Sequence, residues 1–207
     1  MLGARRRYMG GDIQGMVPIE YLEANAESGV AWIDTGFVPT GQDIDIYFDF
    51  TFLGYSVINY TAWFGANNLY NTVNQYSVQA FGSTMNRCSF KMNGTSRLEF
   101  GASEVEKRYN FTLLHSGEYT INEKSGTYNP IAGEENTRSL RIFTAIDSTP
   151  RYTYGRLHSF RLDKDAIPVL DLIPVRIEDT GYMFDRVSGQ LFGNSGTGRF
   201  VLGPDLA

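Results

Sequence analysis

Cysteines, histidines and long apolar runs are scarce in this 207-residue chain, and each scarcity excludes a class of protein. Cys88 is the single cysteine, so neither an intrachain disulfide nor a thiolate metal site can form. His115 and His158 are the two histidines, too few for the usual ligand set of a zinc site. No run of about 18 apolar residues occurs, which excludes a transmembrane helix.

Positive charge is also scarce, with 18 Lys and Arg against 23 Asp and Glu. The formal net charge of -5 makes nucleic acids and anionic membranes poor partners. Arg5, Arg6 and Arg7 are not followed by an apolar segment, so we expect no secretory signal peptide. Residues 1–16 are predicted to form a flexible basic arm, and residues 17–207 a single domain. The arm is either a disordered end or a segment that docks onto an acidic partner.

Aromatic residues and glycines are plentiful, with 13 Tyr, 14 Phe and 22 Gly, which favours an all-β protein. The clearest strand pattern covers residues 43–52. Its apolar positions are Ile44, Ile46, Phe48, Phe50 and Phe52, and the aspartates between them are Asp43, Asp45 and Asp49. A period of two predicts one buried face, with Phe48 and Phe50 in the core, and one solvated face that carries the aspartates. The helical signal is weak, at most one turn at residues 103–107.

Turn signals divide the chain into about twelve to fourteen short strands. Asn93-Gly94 and Ser116-Gly117 each predict a β-hairpin, because such turns need positive φ angles. A short strand is expected near residues 127–131. Residues 167–204 predict the last long strand, followed by a flap that tucks back over it. The pattern as a whole is typical of sandwiches and jelly rolls.

Distinctive motifs lie near both ends of the domain. They are Tyr21-Leu22-Glu23, Trp32-Ile33-Asp34-Thr35-Gly36, residues 157–162, residues 171–176, residues 181–189 and Asn194-Ser195-Gly196-Thr197-Gly198. Together they resemble the concanavalin A-like (LamG-like) jelly-roll domains of gut-bacterial surface proteins and phage structural proteins. The resemblance spans residues 21–203 and implies a sandwich of two curved antiparallel sheets. It departs from the family between Glu23 and Trp32, where this chain has a few extra residues. Relatives bind glycans or proteins, and some are glycosidases, but the matching residues resemble determinants of the fold.

The sequence does not carry the residues that catalysis on such a fold requires. A glycosidase needs two carboxylates on opposite sides of the sugar bond, and the E-x-D-x-x-E pattern of jelly-roll glycosidases is missing. Ser159 adjoins His158, but neighbours on a strand point to opposite faces. We therefore expect no enzyme, no cofactor and no metal. Calcium is compatible with the fold, with Asp34 and Asp147 as the candidate ligands.

One loop suits a sugar better than the rest of the chain does. Aromatic rings stack on the apolar face of a sugar, while amides and guanidinium groups bond its hydroxyls. The candidate glycan-binding residues are Trp63, Asn67, Asn68, Tyr70, Asn74, Tyr76 and Arg87. The alternative is an ordinary loop that covers a core tryptophan.

The resemblance and the basic arm predict a non-enzymatic phage virion protein, such as a head-decoration, fibre or tail subunit with a lectin-like sandwich. Arg5, Arg6 and Arg7 are then the assembly anchor, and other virion proteins and further copies of the chain are the partners. Host-surface or mucosal glycans are additional candidate ligands. The alternative is a carbohydrate-binding module of a gut-bacterial surface protein, located on the bacterial cell surface. A glycosidase is the weakest of the three hypotheses.

Overall fold

Within the part of the chain that the structure, a computed structural model, describes, every regular element is a β-strand. The described residues are 14–26, 29–40, 43–55, 61–66, 76–81, 87–91, 98–129, 136–145 and 152–207. One sheet contains β1 (Met16–Pro18), β2 (Leu22–Ala24), β4 (Ile44–Tyr55), β9 (Arg108–Leu113), β10 (Glu118–Ile121), β11 (Lys124–Thr127), β13 (Thr153–Lys164), β14 (Ile167–Ile177), β15 (Thr180–Asp185), β16 (Leu191–Phe192) and β17 (Val201–Leu202). The other contains β3 (Ile33–Asp34), β5 (Thr61–Ala66), β6 (Tyr76–Phe81), β7 (Arg87–Lys91), β8 (Leu98–Gly101) and β12 (Arg141–Ile142).

The two sheets are antiparallel throughout the described pairings. The large sheet runs in the order β11-β10-β9-β4-β13-β14-β15-β16. Three strands lie off this path. β1 pairs with β14, and β2 pairs with both β13 and β17. The small sheet runs in the order β3-β12-β5-β6-β7-β8. Strands that are neighbours in space are therefore often distant in sequence.

Strand β4 supplies the centre of the core, as its alternation predicted. Its five inward side chains are at most 2% exposed: Ile44, Ile46, Phe48, Phe50 and Phe52. The ring of Phe48 lies 5.0 Å from that of Phe64 on the small sheet, and Phe50 lies 5.2 Å from Trp63. The prediction that Phe48 and Phe50 lie between the sheets is confirmed.

The opposite face of β4 is more ordered than the predicted solvated face. Asp43 is exposed, but Asp45 is only 8% exposed. The main-chain N–H of His115 donates to Asp45 Oδ1 over 2.8 Å, and the His115 ring nitrogen lies at the same distance. Asp49 receives two hydrogen bonds from Arg108 on the next strand, of 2.8 and 2.7 Å. Partners on β9 and in the turn after it therefore hold two of the three aspartates in place.

Strand β5 breaks the alternation that a strand normally shows. Its pairing with β6 shifts register between Ala62 and Phe64, so Trp63 is the extra residue of a β-bulge. A bulge turns consecutive side chains toward one face, and Trp63 and Phe64 both enter the core with 0% exposure. The other face of β5 is covered as well, since a Cβ added at Gly65 would lie 2.5 Å from Ala145 Cβ.

Local predictions met mixed outcomes. The hairpin at Ser116-Gly117 joins β9 to β10 with a φ of 93° at Gly117, whereas Asn93-Gly94 lies outside the described residues. The helical turn predicted at residues 103–107 is wrong. Glu106 has a φ of 63°, and its N–H donates to the carbonyl of Phe52, so this segment is a tight turn against β4. The short strand expected near residues 127–131 lies a few residues earlier, as β11.

The end of the domain follows a different course from the predicted flap. Strand β14 is long, as expected, but the segment after β16 leaves it and runs along residues 30–34 and β2. The N–H of Ser195 donates to the Trp32 carbonyl, and that of Gly198 donates to the Val30 carbonyl, each over 2.8 Å. We call residues 194–202 the clasp, because they fasten the end of the domain to its beginning.

Within the described ranges there is no helix with the length and apolarity that a membrane crossing needs.

Candidate functional site

A groove with a cavity volume of about 660 Å³ opens where the two sheets meet at β8 and β9. Pockets of roughly 300–1,000 Å³ are the usual size for small-molecule sites. The groove is bounded by described residues only: Phe100, Gly101, Ala102, Glu104, Lys107, Arg108, Tyr109, Asn110, Ile121, Asn122, Glu123 and Lys124. These residues come from the end of β8, the turn before β9, the start of β9 and the β10–β11 turn.

The inner wall of the groove is apolar and belongs to the core. Phe100, Tyr109 and Ile121 are 8%, 3% and 3% exposed. The ring of Tyr109 lies 4.9 Å from that of Trp63, which joins this wall to the centre of the sandwich. Such a wall is rigid, because well-packed side chains have few alternative positions.

The tight turn before β9 is held by the same tyrosine. The Tyr109 hydroxyl donates to the Ala102 carbonyl over 3.2 Å and accepts from the Glu104 N–H over 3.1 Å. The Glu106 N–H donates to the carbonyl of Phe52 on the neighbouring strand β4 over 2.7 Å. The groove therefore has one fixed rim that does not depend on a ligand.

The opposite rim is the β10–β11 turn. Asn122 has a φ of 53°, and both ends of its side-chain amide form hydrogen bonds with backbone groups. Its Oδ1 accepts from the Asn110 N–H over 2.7 Å, and its Nδ2 donates to the Arg108 carbonyl over 3.1 Å. Asn110 is exposed, and its side-chain amide has no hydrogen-bond partner among the residues that the structure describes.

Three cations line the groove, and they differ in their partners. Lys107 forms an ion pair with Glu104, and Arg108 forms a two-bond pair with Asp49. The hydrogen bond to Asp49 raises the pKa of the Arg108 guanidinium, which keeps it charged. Lys124 instead donates to the carbonyl of Phe100 over 3.3 Å. Lys107 also lies 5.6 Å from the centre of the Tyr109 ring, a cation–π contact.

His158 lies outside the groove, on the outer face of the large sheet. It is the extra residue where β13 shifts register against β4 between Leu157 and Ser159. Its Nδ1 lies 3.2 Å from the Glu20 carbonyl, which can only accept, so Nδ1 carries the proton. Nε2 then accepts from the Thr51 hydroxyl over 2.9 Å. Burial and the nearby Arg108 lower the pKa of His158, in keeping with this neutral ring. The imidazole thus ties the segment before β2 to the sheet.

The predicted glycan site is corrected for two of its residues. Trp63 is 0% and Tyr76 2% exposed, so neither ring offers a face to a sugar. The bulge at Trp63 is the physical reason for the first, and the second is a member of the hydrophobic core cluster. Asn67, Asn68, Tyr70 and Asn74 lie outside the described residues, as do Arg5, Arg6 and Arg7. Arg87 begins β7, but its side chain is not among those described.

The candidate calcium ligands divide in the same way. Asp34 accepts from the Gly36 N–H over 2.9 Å, and Arg141 Nε lies 3.4 Å from its second oxygen. Its carboxylate therefore caps a turn, while Asp147 lies outside the described residues. In the described part of the chain, no group of three or more His, Cys, Asp or Glu could hold a metal ion.

Sequence reasoning missed the groove altogether. Its two rims lie about twenty residues apart on different sheets, and no spacing rule brings residues 100–104 against residues 121–124. The one usable signal was the polar turn Asn122-Glu123-Lys124 between two short strands, which has the composition of a turn and nothing more specific.

Comparison with known proteins defines the fold class. No protein-family model matches the sequence, and no curated protein matches it either. Among solved structures, the chain is similar to the native heptameric SAP-like pentraxin from Limulus polyphemus, with a TM-score of 0.54 and 9% identity. The match covers 92% of this chain and 95% of the pentraxin chain. At this identity the likeness concerns the fold. It confirms the predicted class, an all-β antiparallel two-sheet sandwich of the jelly-roll type.

Proposed function

We propose that this chain is a non-enzymatic, lectin-like binding module that holds a glycan in the groove between β8, β9 and the β10–β11 turn. The observation that supports it is the groove itself, which joins a rigid apolar wall to a rim of amide, carboxylate and ammonium groups. A sugar presents both C–H and hydroxyl surfaces, so it needs both kinds of contact in one cavity.

The groove's carboxylates argue for binding over catalysis. Glu104 and Glu123 are the two acids that line it. A glycosidase needs one carboxyl with a raised pKa as the general acid. Glu104 is exposed and forms an ion pair with Lys107, so it lacks the apolar burial of such a general acid. Glu123 can accept hydrogen bonds from sugar hydroxyls.

Filling the groove should abolish glycan binding and leave the fold intact. Ala102 is exposed and lines the groove, so an indole in Ala102→Trp would occupy the space while the Ala102 carbonyl still accepts from Tyr109. We expect affinity for a glycan identified on a mixed oligosaccharide array to fall about tenfold or more. Titration calorimetry would measure it.

Leu206→Trp is the matched control, because Leu206 is 54% exposed and does not line the groove. It should bind as the unmodified protein does. Unchanged binding by Ala102→Trp would place the glycan elsewhere, with the loop around Asn67, Asn68, Tyr70 and Asn74 as the next candidate.

For the setting of this module, we propose a phage virion, in which the sandwich is displayed and Arg5, Arg6 and Arg7 anchor it. Support comes from the sequence resemblance and from three arginines on a chain of net charge -5. Exposed ion pairs with its own domain would stabilise such an arm by only about 0–1 kcal/mol each, so a larger acidic surface is the better partner. Guanidinium groups form directional bonds with carboxylates there.

Deletion of residues 1–11 tests the anchor. The melting temperature should stay nearly unchanged, because exposed ion pairs between the arm and its own domain would add only about 0–1 kcal/mol each. Incorporation into particles, or self-association, should be lost, as measured by sedimentation of particles assembled with the truncated protein. Equal incorporation of the two proteins would move the anchor to the sandwich. The bacterial-surface alternative predicts no incorporation for either form.

A further inference from the structure

We propose that the glycan held in this groove is acidic, and that its carboxylate or sulfate group binds Lys124. This inference rests on the proposed function, since it names the chemical class of ligand for the same groove. Its basis is the position and partnering of one ammonium group.

Lys124 connects the two sheets at one end of the groove. It begins β11 in the large sheet, and its Nζ donates to the carbonyl of Phe100 on β8 of the small sheet over 3.3 Å. An ammonium group has three N–H donors, so one bond to a neutral carbonyl leaves two for a ligand. The bond fixes the charge at the groove wall, where a free lysine would spread over many rotamers.

Gly101 lies next to this contact. Its φ of 146° is one that side chains rarely adopt, so any other residue there would strain the backbone. A Cβ at residue 101 would lie 3.5 Å from Lys124 Nζ, which is an ordinary van der Waals contact.

Lys124 also differs from the other two cations of the groove. Lys107 is neutralised by Glu104, and Arg108 by Asp49. Lys124 forms no ion pair with any residue of the described ranges.

Glu123 sharpens the expected selectivity. It lies beside Lys124 on the same rim and is exposed. Its carboxylate suits sugar hydroxyls but repels an anion, so the ligand's acidic group should face Lys124 and a hydroxyl should face Glu123. The two neighbouring residues should therefore affect the affinity for an acidic glycan in opposite directions.

The test compares acidic and neutral probes of similar size. Oligogalacturonate, sialyllactose and a heparin tetrasaccharide supply the anionic group, and cello-, malto- and galacto-oligosaccharides lack it. We expect an acidic probe to bind most tightly, with an affinity that falls as salt rises from 50 to 500 mM, as ionic contacts are screened.

Charge-altering variants locate the contact. Lys124→Gln should weaken the best acidic probe about tenfold, the size expected for a charge-assisted hydrogen bond, and Lys124→Arg should keep most of the affinity. Glu123→Gln should strengthen it severalfold. Lys164→Gln, the same charge change on β13 outside the groove, should have little effect.

The outcomes separate this inference from the proposed function. If a neutral probe binds in the groove and Lys124→Gln changes nothing, the acidic ligand is overturned while the glycan-binding module stands. If no probe of either class binds, or if Ala102→Trp leaves all binding intact, the groove itself is not the site. An unchanged circular dichroism spectrum for each variant would show that a loss of binding does not result from a folding defect.

Discussion

Replacing Trp63 with alanine is expected to lower the free energy of unfolding by about 3–5 kcal/mol, the range for removing a large buried aromatic side chain. Trp63 is fully buried, and its ring contacts Phe50 at 5.2 Å, Phe52 at 5.4 Å and Tyr109 at 4.9 Å. Alanine would leave a cavity between the sheets. The surrounding aromatic rings pack against one another and cannot move far enough to fill it. Urea denaturation would measure the decrease in the free energy of unfolding. Far-ultraviolet circular dichroism should be the probe, because it follows the backbone and not tryptophan fluorescence.

Trp63→Phe is the matched variant, and it should cost clearly less than Trp63→Ala. Phenylalanine keeps an aromatic ring in the stack, and it removes the indole N–H. That N–H has no hydrogen-bond partner among the described residues, so its loss carries no penalty of a broken bond. If Trp63→Ala instead leaves stability unchanged and weakens sugar binding, Trp63 is a surface platform, and the bulge that buries it is wrong.

The contrast between β4 and β5 shows how far sequence patterns reach. Ten residues of strict alternation predicted both the position of β4 and its buried face, because successive side chains of a strand point to opposite faces of the sheet. Trp63 follows Ala62 with no such pattern, and a bulge that turns both Trp63 and Phe64 inward leaves no mark in composition. The error about the glycan site began there.

The groove fails to appear in the sequence for a related reason. Its wall is set by Tyr109 and Phe100, which any strand assignment would have placed in the core. Its proposed binding character comes from Lys124, which reaches the carbonyl of Phe100 across the two sheets, and no local sequence pattern specifies such a contact. Local motifs predict strands and turns, whereas a site formed by two sheets depends on how their ends meet.

The motifs that resemble the jelly-roll family have a structural explanation in the clasp. Asn194 Oδ1 accepts from the N–H of Trp32 over 3.0 Å and from the N–H of Gly196 over 2.8 Å. The Asn194 amide also donates to the Gly198 carbonyl. The opening and closing motifs are thus two halves of one contact, about 160 residues apart, as the separation of 162 between Asn194 and Trp32 shows. This supports the interpretation that these motifs determine the fold.

Gly196→Ala is expected to be the most damaging small substitution in the clasp. A Cβ at residue 196 would lie 2.1 Å from the Val30 carbonyl oxygen and 3.0 Å from Trp32 Cδ1. The first of these atoms is backbone, so no side-chain rotation can relieve the clash. Overpacking usually costs about 1–3 kcal/mol, and a clash with fixed backbone belongs at or above the top of that range. Thermal denaturation and limited proteolysis of the clasp would both report it.

Ser195→Ala is the control at the adjacent position. Its hydroxyl lies 3.4 Å from the Asp34 N–H in an exposed site, a weak contact, while its own N–H to the Trp32 carbonyl survives the substitution. Stability should change by less than about 1 kcal/mol.

Because the clasp pairs with β2 through β17 and β2 pairs with β13, its release should also expose the edge of the large sheet. Gly196→Ala should therefore aggregate at temperatures where Ser195→Ala remains monodisperse. Equal stability of the two variants would mean that the clasp does not hold the beginning of the domain to its end.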